Sequence, residues 1–287
     1  MYLSDLKVFE AVLRLGSMSR AASELGTAQS NVTTRIQVLE GKLGISLFER
    51  HARGVAPTPA ARRVLPYVAR LAKLAADARA AARDDGVPNG TLLIGSLETT
   101  TASRLSPLLP RFAKACPNVR LAITTGTTTR LLNEVIEYRL DGAFVAGPVD
   151  HPDLHQRPFV REELVLVTTP SIRTKDLTSI EGLKMIVFQI GCSYRQRLET
   201  MLIEMGITLS EPQELGSLDA IISCVSAGLG VTLMPRGVIA TAVRDGRVAA
   251  HALPLSRAAV ETVFVWRKDV YISSAMTALF DLIESRP

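Results

Sequence analysis

Residues 16–44 read GSMSRAASELGTAQSNVTTRIQVLEGKLG. Gly16 and Gly26 bracket a short stretch in which Ala21, Ala22 and Leu25 fall at helical spacing, and Ser19 stands where a cap for its first turn is wanted. Thr27 is placed to cap a second stretch, along which Val32, Ile36, Leu39 and Leu43 recur on one face until Gly44 stops it. Ahead of both, Leu6, Phe9 and Leu13 keep the same period. Two short helices around a glycine turn make the helix-turn-helix pattern, and the small Ala21 and Ala22 let its two helices approach closely. The opposite face of the last helix carries Gln29, Ser30, Asn31, Thr33, Thr34 and Arg35. Gln and Asn suit adenine edges, Arg suits guanine, and Ser or Thr reaches phosphates or bases. A merely solvated face would favour Glu and Lys, and neither occurs between Gln29 and Leu39.

Downstream, Leu47–Arg50, His51–Gly54 and Val55–Thr58 read as strand, turn and strand. This small wing would carry Arg50, His51 and Arg53 near its tip, where cations can meet the phosphate backbone beside a groove. The first 65 residues resemble the LysR-type transcriptional regulator family. The resemblance is carried by Gly16-Ser17, Arg20-Ala21-Ala22, Gln29-Ser30-Asn31-Val32-Thr33, Ile36-Gln37-Val38-Leu39-Glu40, Leu43-Gly44, Leu47-Phe48-Glu49-Arg50 and Thr58-Pro59-Ala60. Asn31, Thr33 and Ala60-Ala61 depart from the usual family pattern and leave the base preference open. The resemblance implies double-stranded DNA and a small-molecule effector as partners, self-association into a homodimer or homotetramer, contact with RNA polymerase, and no cofactor or metal.

Composition agrees with a globular chain of about two domains: 287 residues, 47% apolar and 21% charged. The opening MYLSDLKVFEAVLRLGS places Asp5 and Glu10 among its apolar positions, wrong for a signal peptide, and no apolar run is long enough for a membrane span. Three scattered cysteines, Cys116, Cys192 and Cys224, give no disulfide framework, so the expected setting is the reducing cytoplasm. Charge is uneven. Residues 1–88 hold 13 Lys+Arg against 8 Asp+Glu, whereas residues 89–287 hold 20 of each, so the whole net charge of +5 lies in the first third. A basic module joined to a neutral one suits a polyanion partner.

Thr58, with Pro59 behind it, opens a linker helix over residues 59–85. Ala61, Val68, Ala75 and Ala82 form one row at sevens, and Val64, Leu71 and Ala78 another, the pattern of a two-helix dimerisation seam. Pro66 should bend this helix locally. The run Asp84-Asp85-Gly86-Val87-Pro88-Asn89-Gly90 marks a domain boundary. The expected organisation is therefore a winged helix-turn-helix domain over 1–58, the linker over 59–85, and a regulatory domain over 91–287.

In that last domain strands and helices alternate, which implies an α/β fold with mainly parallel sheets. Two such sets joined by crossing strands resemble the type II periplasmic-binding-protein architecture of the family's effector domain, with subdomains over about 91–160 plus 260–287 and over 165–255. Ala227-Gly228-Leu229-Gly230-Val231 is a further family hallmark. Ligands in such sheets sit outside the carboxyl ends of strands. Three strand ends open into short polar runs, so Ser96, Thr100, Thr127, Thr128, Ser193 and Tyr194 are expected to line one cleft and receive a carboxylate or phosphate. Glu98 would there hold an amine, or else only compensate a helix dipole. Cys192 is either a pocket residue or a thiol sensor near a helix start. His151 and His155 have metal-like spacing but no evident third ligand. From another functional class, an enzyme or solute-binding domain with an accessory N-terminal module would make Ser193 or Cys192 a nucleophile, without an identifiable base.

Overall fold

The computed structural model describes residues 2–51, 54–173, 177 and 182–284. The chain forms two compact units, Met1–Asp85 and Gly86–Pro287.

In the first unit, α1 (Leu3–Leu15), α2 (Met18–Glu24) and α3 (Gln29–Leu43) pack around Phe9, Val12, Ala21, Val32, Ile36 and Leu39, all buried. Gly16 takes the left-handed conformation (φ 62°), and its N–H donates to Val12 O, ending α1. Two caps differ from expectation. Ser17, not Ser19, caps α2 by accepting the Arg20 N–H, because the Gly16 turn leaves Ser17 extended just before the helix. Likewise α3 starts after Ala28, which stays extended, and the Thr27 hydroxyl instead accepts from Asn31 Nδ2 at 2.8 Å.

The wing follows as β1 (Phe48–His51) antiparallel to β2 (Gly54–Pro57). Glu40 Oε1 accepts from the N–H groups of Leu47 (2.6 Å) and Phe48 (3.2 Å), tying the end of α3 to the wing's root. Val55 N–H donates to Gly16 O at 3.0 Å, docking the wing on the turn between α1 and α2. Gly54 has φ +137°, and a Cβ there would lie 2.5 Å from Gly16 O.

The linker helix α4 (Pro59–Arg83) is continuous through Pro66 and capped by Thr58 Oγ1, which accepts from Ala61 N–H at 3.2 Å. One row of the expected seam turns the other way. Ala61 and Val68 are buried in the first unit's own core, because α4 lies on α1 and needs an apolar face there. The outward apolar row is Tyr67 (71% exposed), Leu71 (38%) and Leu74 (61%).

The second unit is mixed rather than mainly parallel. β3 (Gly90–Ser96) pairs in parallel with β4 (Val119–Thr125) and β5 (Gly142–Gly147). Between β3 and β4 a helical turn α5 (Glu98–Thr100) runs into a π-helical turn at Thr101–Leu105 and then α6 (Leu109–Ala115). The helical path is broken there, with Pro107 before α6 and Pro110 in its first turn. After α7 (Thr128–Ile136) and β5 comes β6 (Leu154–Thr168), fifteen residues long. Its first half pairs antiparallel with β11 (Ala259–Arg267), which also pairs antiparallel with β5. Its second half pairs antiparallel with β9 (Thr232–Pro235) and β10 (Ala249–Ala252). These two crossing strands supply the antiparallel pairs and divide the unit into two subdomains.

The second subdomain adds β7 (Ile186–Val187) parallel to β8 (Gln213–Glu214), with α8 (Ser193–Glu204), α9 (Leu218–Ser226), α10 (Arg236–Arg244) and the short α11 (Leu255–Ala258). The closing helix α12 (Ser274–Glu284) returns to the first subdomain, where Phe144, Phe159 and Phe264 cluster with ring centroids 4.4 and 4.7 Å from Phe144. At the crossing, buried Glu162 accepts two bonds from Arg104 (2.8 and 2.7 Å), and Arg236 clasps Glu163 with two bonds of 2.7 Å.

At the far end of β11, Arg267 makes a two-pronged contact with Asp269 (2.7 and 3.1 Å), donates to Ile136 O and lies 4.2 Å from the centre of the Tyr138 ring. The guanidinium hydrogen bonds hold the Asp269 carboxyl at about 2, below its ordinary 3.8. The folded state thus binds this proton more weakly than the unfolded chain. The stabilisation is complete above the unfolded value and is lost as pH falls through the folded one. Melts between pH 5 and 2 should show Asp269→Asn losing less stability on acidification than the parent. Equal slopes would place the acid sensitivity elsewhere.

Candidate functional site

The exposed side of α3 has two parts. Gln29, Ser30 and Thr33 have side chains with no hydrogen-bond partner among the described residues, and Thr34 Oγ1 donates back to Ser30 O at 3.0 Å. Asn31 and Arg35 are engaged within the protein. Asn31 Nδ2 donates to Thr27, while its Oδ1 accepts from Arg35 Nε at 3.3 Å. Arg35 Nη1 donates to Ser4 Oγ at 2.6 Å and pairs with Asp5 Oδ1 at 3.2 Å. The i, i+4 spacing of Thr27, Asn31 and Arg35 puts them on one strip. The partner helix α1 was not visible from that spacing. On the wing, Arg50 pairs through its backbone with Val55, and His51 is exposed, 3.9 Å from Glu49. Arg53 lies outside the described residues.

In the second unit a cavity of about 280 Å³ opens between the two subdomains. One wall is Leu97, Glu98 and Thr99 with Thr125, Gly126, Thr127 and Arg130; the other is Phe188, Gln189, Cys192, Ser193 and Tyr194 with Leu215 and Gly216. Glu98, Thr127, Cys192, Ser193 and Tyr194 thus meet in one place. Ser96, Thr100 and Thr128 do not line it. Ser96 is fully buried with its hydroxyl donating to Leu97 O at 3.1 Å, and Thr100 is fully buried on the inner side of its helical turn. Thr128 Oγ1 accepts from Ala146 N–H at 3.3 Å, stitching α7 to β5. The strand ends were located correctly, but Ser96 is turned inward on β3, and Thr100 and Thr128 lie on helical turns, where a step of one residue rotates the side chain by about 100°. Thr99 and Arg130 were missed, although each stands beside or within one turn of an expected residue.

Three hydroxyls at this cavity, Thr99 Oγ1, Ser193 Oγ and Tyr194 Oη, are buried with no hydrogen-bond partner in good geometry among the described residues. Burial raises the Tyr194 phenol well above its ordinary value, a shift only partly offset by the Thr99 hydroxyl, so it stays protonated. Burial also raises the Cys192 thiol, keeping it out of the thiolate form that a redox sensor needs. Cys192 precedes α8 without a side-chain cap bond, and the first-turn N–H groups of Tyr194 and Arg195 face its sulfur, partly offsetting the effect of burial. Glu98 has no ion-pair or hydrogen-bond partner among the described residues, whereas Arg130 bonds Glu134 at 3.0 Å. Across the cavity mouth Gly191 (φ +94°) approaches α7 closely. Its carbonyl accepts from Thr129 N–H at 3.4 Å, and a Cβ there would fall 2.9 Å from Thr127 Oγ1.

Among the described residues no histidine lines the cavity, so none places an imidazole beside Ser193 or Cys192. His151 Nδ1 accepts from Asp153 N–H at 3.2 Å while His155 rests 5.4 Å from Trp266, so the pair does not converge. Among the described residues no group of three or more His, Cys, Asp or Glu could hold a metal, and no helix is long and apolar enough to cross a membrane.

Comparison with known proteins accounts for both units. The family profile described as bacterial regulatory helix-turn-helix protein, lysR family, matches residues 3–62, and that of the LysR substrate binding domain matches residues 85–287. The HTH-type transcriptional regulator GltR of Bacillus subtilis is 42% identical over 279 residues, covering 97% of this chain and 94% of that protein. The regulator CzcR of Bacillus anthracis is 37% identical over 284 residues, covering 99% and 97%. Among solved structures, full-length OxyR from Pseudomonas aeruginosa superposes with a TM-score of 0.72 at 20% identity, covering 99% of this chain and 95% of that one. Full-length CbnR complexed with its target DNA gives 0.67 at 24% identity, covering 99% of each chain. With profile matches across both units and relatives aligned over nearly its whole length, the chain belongs to the LysR family of DNA-binding transcriptional regulators.

Proposed function

We propose that this regulator responds to a small zwitterionic metabolite bound in the cavity between its two α/β subdomains. The observation that carries the reading is the buried Ser193 Oγ, which has no hydrogen-bond partner among the described residues, facing the same cavity as the buried Thr99 and Tyr194 hydroxyls. Buried donors left unpaired cost roughly 1–3 kcal/mol each, a deficit that a ligand carboxylate removes. The unpaired Glu98 carboxylate, beside Thr99 and across the cavity from Ser193 and Tyr194, suits an ammonium group. Arg130, already neutralised by Glu134, leaves Glu98 to set the sign there.

On the DNA side, Gln29, Ser30 and Thr33 meet base edges, Thr34 supports them, and Arg50, His51 and Arg53 on the wing meet phosphates. Domain limits of 1–58, 59–85 and 91–287 follow, with the outward row of α4 joining two copies as a homodimer or a tetramer built from two. The protein works in the cytoplasm and passes its signal to RNA polymerase. Because a ligand held there touches both subdomains, binding favours one setting of the crossing strands, and only this preference can alter DNA binding.

Thermal-shift measurements on the full chain test the ligand class. L-amino acids are compared with the matching acids lacking the amine and amines lacking the carboxylate. A ligand at 100 times its Kd stabilises by about 2.7 kcal/mol, an easily resolved shift. Some amino acids should raise the melting temperature while their one-charge analogues fail, and Glu98→Gln should remove the preference for the amine. Equal response to the acids lacking the amine would overturn the zwitterion and leave a plain carboxylate effector.

A further inference from the structure

We propose that Asp5, on α1, is a positioning residue for DNA recognition: it orients the Arg35 guanidinium on α3 and so sets part of the sequence preference. The inference rests on the reading of the α3 face as the DNA-contacting surface. Asp5 is 3% exposed, an uncommon place for a carboxylate. Its Oδ2 accepts from Tyr2 N–H at 2.9 Å, and its Oδ1 faces Arg35 Nη1 at 3.2 Å. A buried carboxylate is stable only with such partners. Here one partner belongs to the helix start and the other to the helix that reads DNA.

Arg35 is thereby committed on one side. Nη1 is shared between Ser4 Oγ and Asp5 Oδ1, and Nε is given to Asn31 Oδ1, whose amide in turn holds Thr27. Of its nitrogens only Nη2 has no partner among the described residues, while the side chain remains 36% exposed. A free arginine reads guanine through two nitrogens at once. This one offers a single nitrogen in a fixed direction, with its rotamer freedom already spent in the unbound protein. Ordering a long side chain otherwise costs conformational entropy on binding. Asn31 is likewise turned from a free adenine reader into a brace. Freeing the guanidinium should therefore change which bases are preferred more than how tightly phosphates are held.

The test selects binding sites from a randomised duplex pool with the wild-type chain and with Asp5→Asn. Specific and non-specific affinities and the salt slope are then measured for both. Asp5→Asn keeps an acceptor for Tyr2 N–H but loses the charge facing Arg35. The expected result is an altered base preference at one position per half-site and about a tenfold fall in the specific-to-non-specific ratio, equal to about 1.4 kcal/mol. Non-specific affinity and salt slope should stay unchanged. Arg35→Ala should show the same loss, and combining the two should add little. A merely structural role would lower the melting temperature without moving the ratio or the selected sequence, and that outcome would overturn the proposal. If Asp5→Asn does not fold, Ser4→Ala removes the 2.6 Å bond without a buried charge and should shift the ratio about threefold in the same direction; an unchanged ratio there also counts against it. A wild-type chain that selects no sequence at all would instead overturn the reading of the α3 face.

Discussion

Val68→Asp should unfold the N-terminal unit, although heptad spacing alone would place Val68 in an intermolecular seam. Val68 is 2% exposed and sits in one apolar cluster with Leu6, Phe9, Val12 and Ala61. An aspartate there would sit among apolar side chains, and an uncompensated buried charge costs about 3–5 kcal/mol, comparable to the whole stability of a small unit. Circular dichroism should lose the helical melt of this unit while the second unit melts normally. Leu71→Asp makes the contrast. Leu71 stands on the outward row with Tyr67 and Leu74, so its charge is hydrated in the single chain. That variant should melt within about 0.5 kcal/mol of the parent yet show a smaller mass by light scattering. A Val68→Asp protein that melts like the parent and merely dissociates would mean that α4 uses the opposite face.

Gly54→Ala should weaken binding to every DNA sequence while leaving the helices folded. At φ +137° an alanine is strained, and its Cβ would be 2.5 Å from the backbone oxygen of Gly16. That oxygen also receives the Val55 N–H, so relief of the clash breaks the bond docking the wing. Strain of this kind costs roughly 1–3 kcal/mol. Its consequence falls on the free end of the two-stranded wing, since the Glu40 bonds hold only the root. Mobility-shift titrations should show at least a tenfold loss for matched and unmatched duplexes alike, with a shallower salt dependence. Gly26→Ala is the control: Gly26 is also left-handed (φ +61°), but nothing lies within 4 Å of its added Cβ. It should lower stability by about 1–2 kcal/mol without a wing-specific loss. Equal DNA affinity for Gly54→Ala and the parent would remove the wing from the interface.

What could be read in advance was whatever repeats locally. The periods of α1 and α3 and the glycine stops depend on residues within one or two turns. So does the location of the strand ends around the cavity. The misplaced features depend on partners far along the chain. Asp5 and Arg35 are 30 residues apart, and no local rule pairs them. Val68 obeys a heptad pattern equally well whether α1 or a second chain covers it. Ser96, Thr100 and Thr128 sit beside the right strand ends, but a step of one residue decides between cavity and interior. β10 escaped notice because Ala249–Ala252 lacks the branched and aromatic residues that mark strands; it exists through pairing with β6.

The crossing strands also govern the order in which a newborn chain can become complete. β6 carries the chain out of the first subdomain, and only β11, much later, brings it back between β5 and β6. On the ribosome, β3, β4 and β5 emerge early but cannot finish their sheet. Until Ala259–Arg267 appears, β5 has an open edge and Phe144 lacks the covering ring of Phe264. The later-made subdomain, by contrast, has its β6, β9 and β10 pairs ready before that strand is translated. Translation thus assembles this half of the protein from the inside out, leaving the earliest strands longest in need of protection from aggregation.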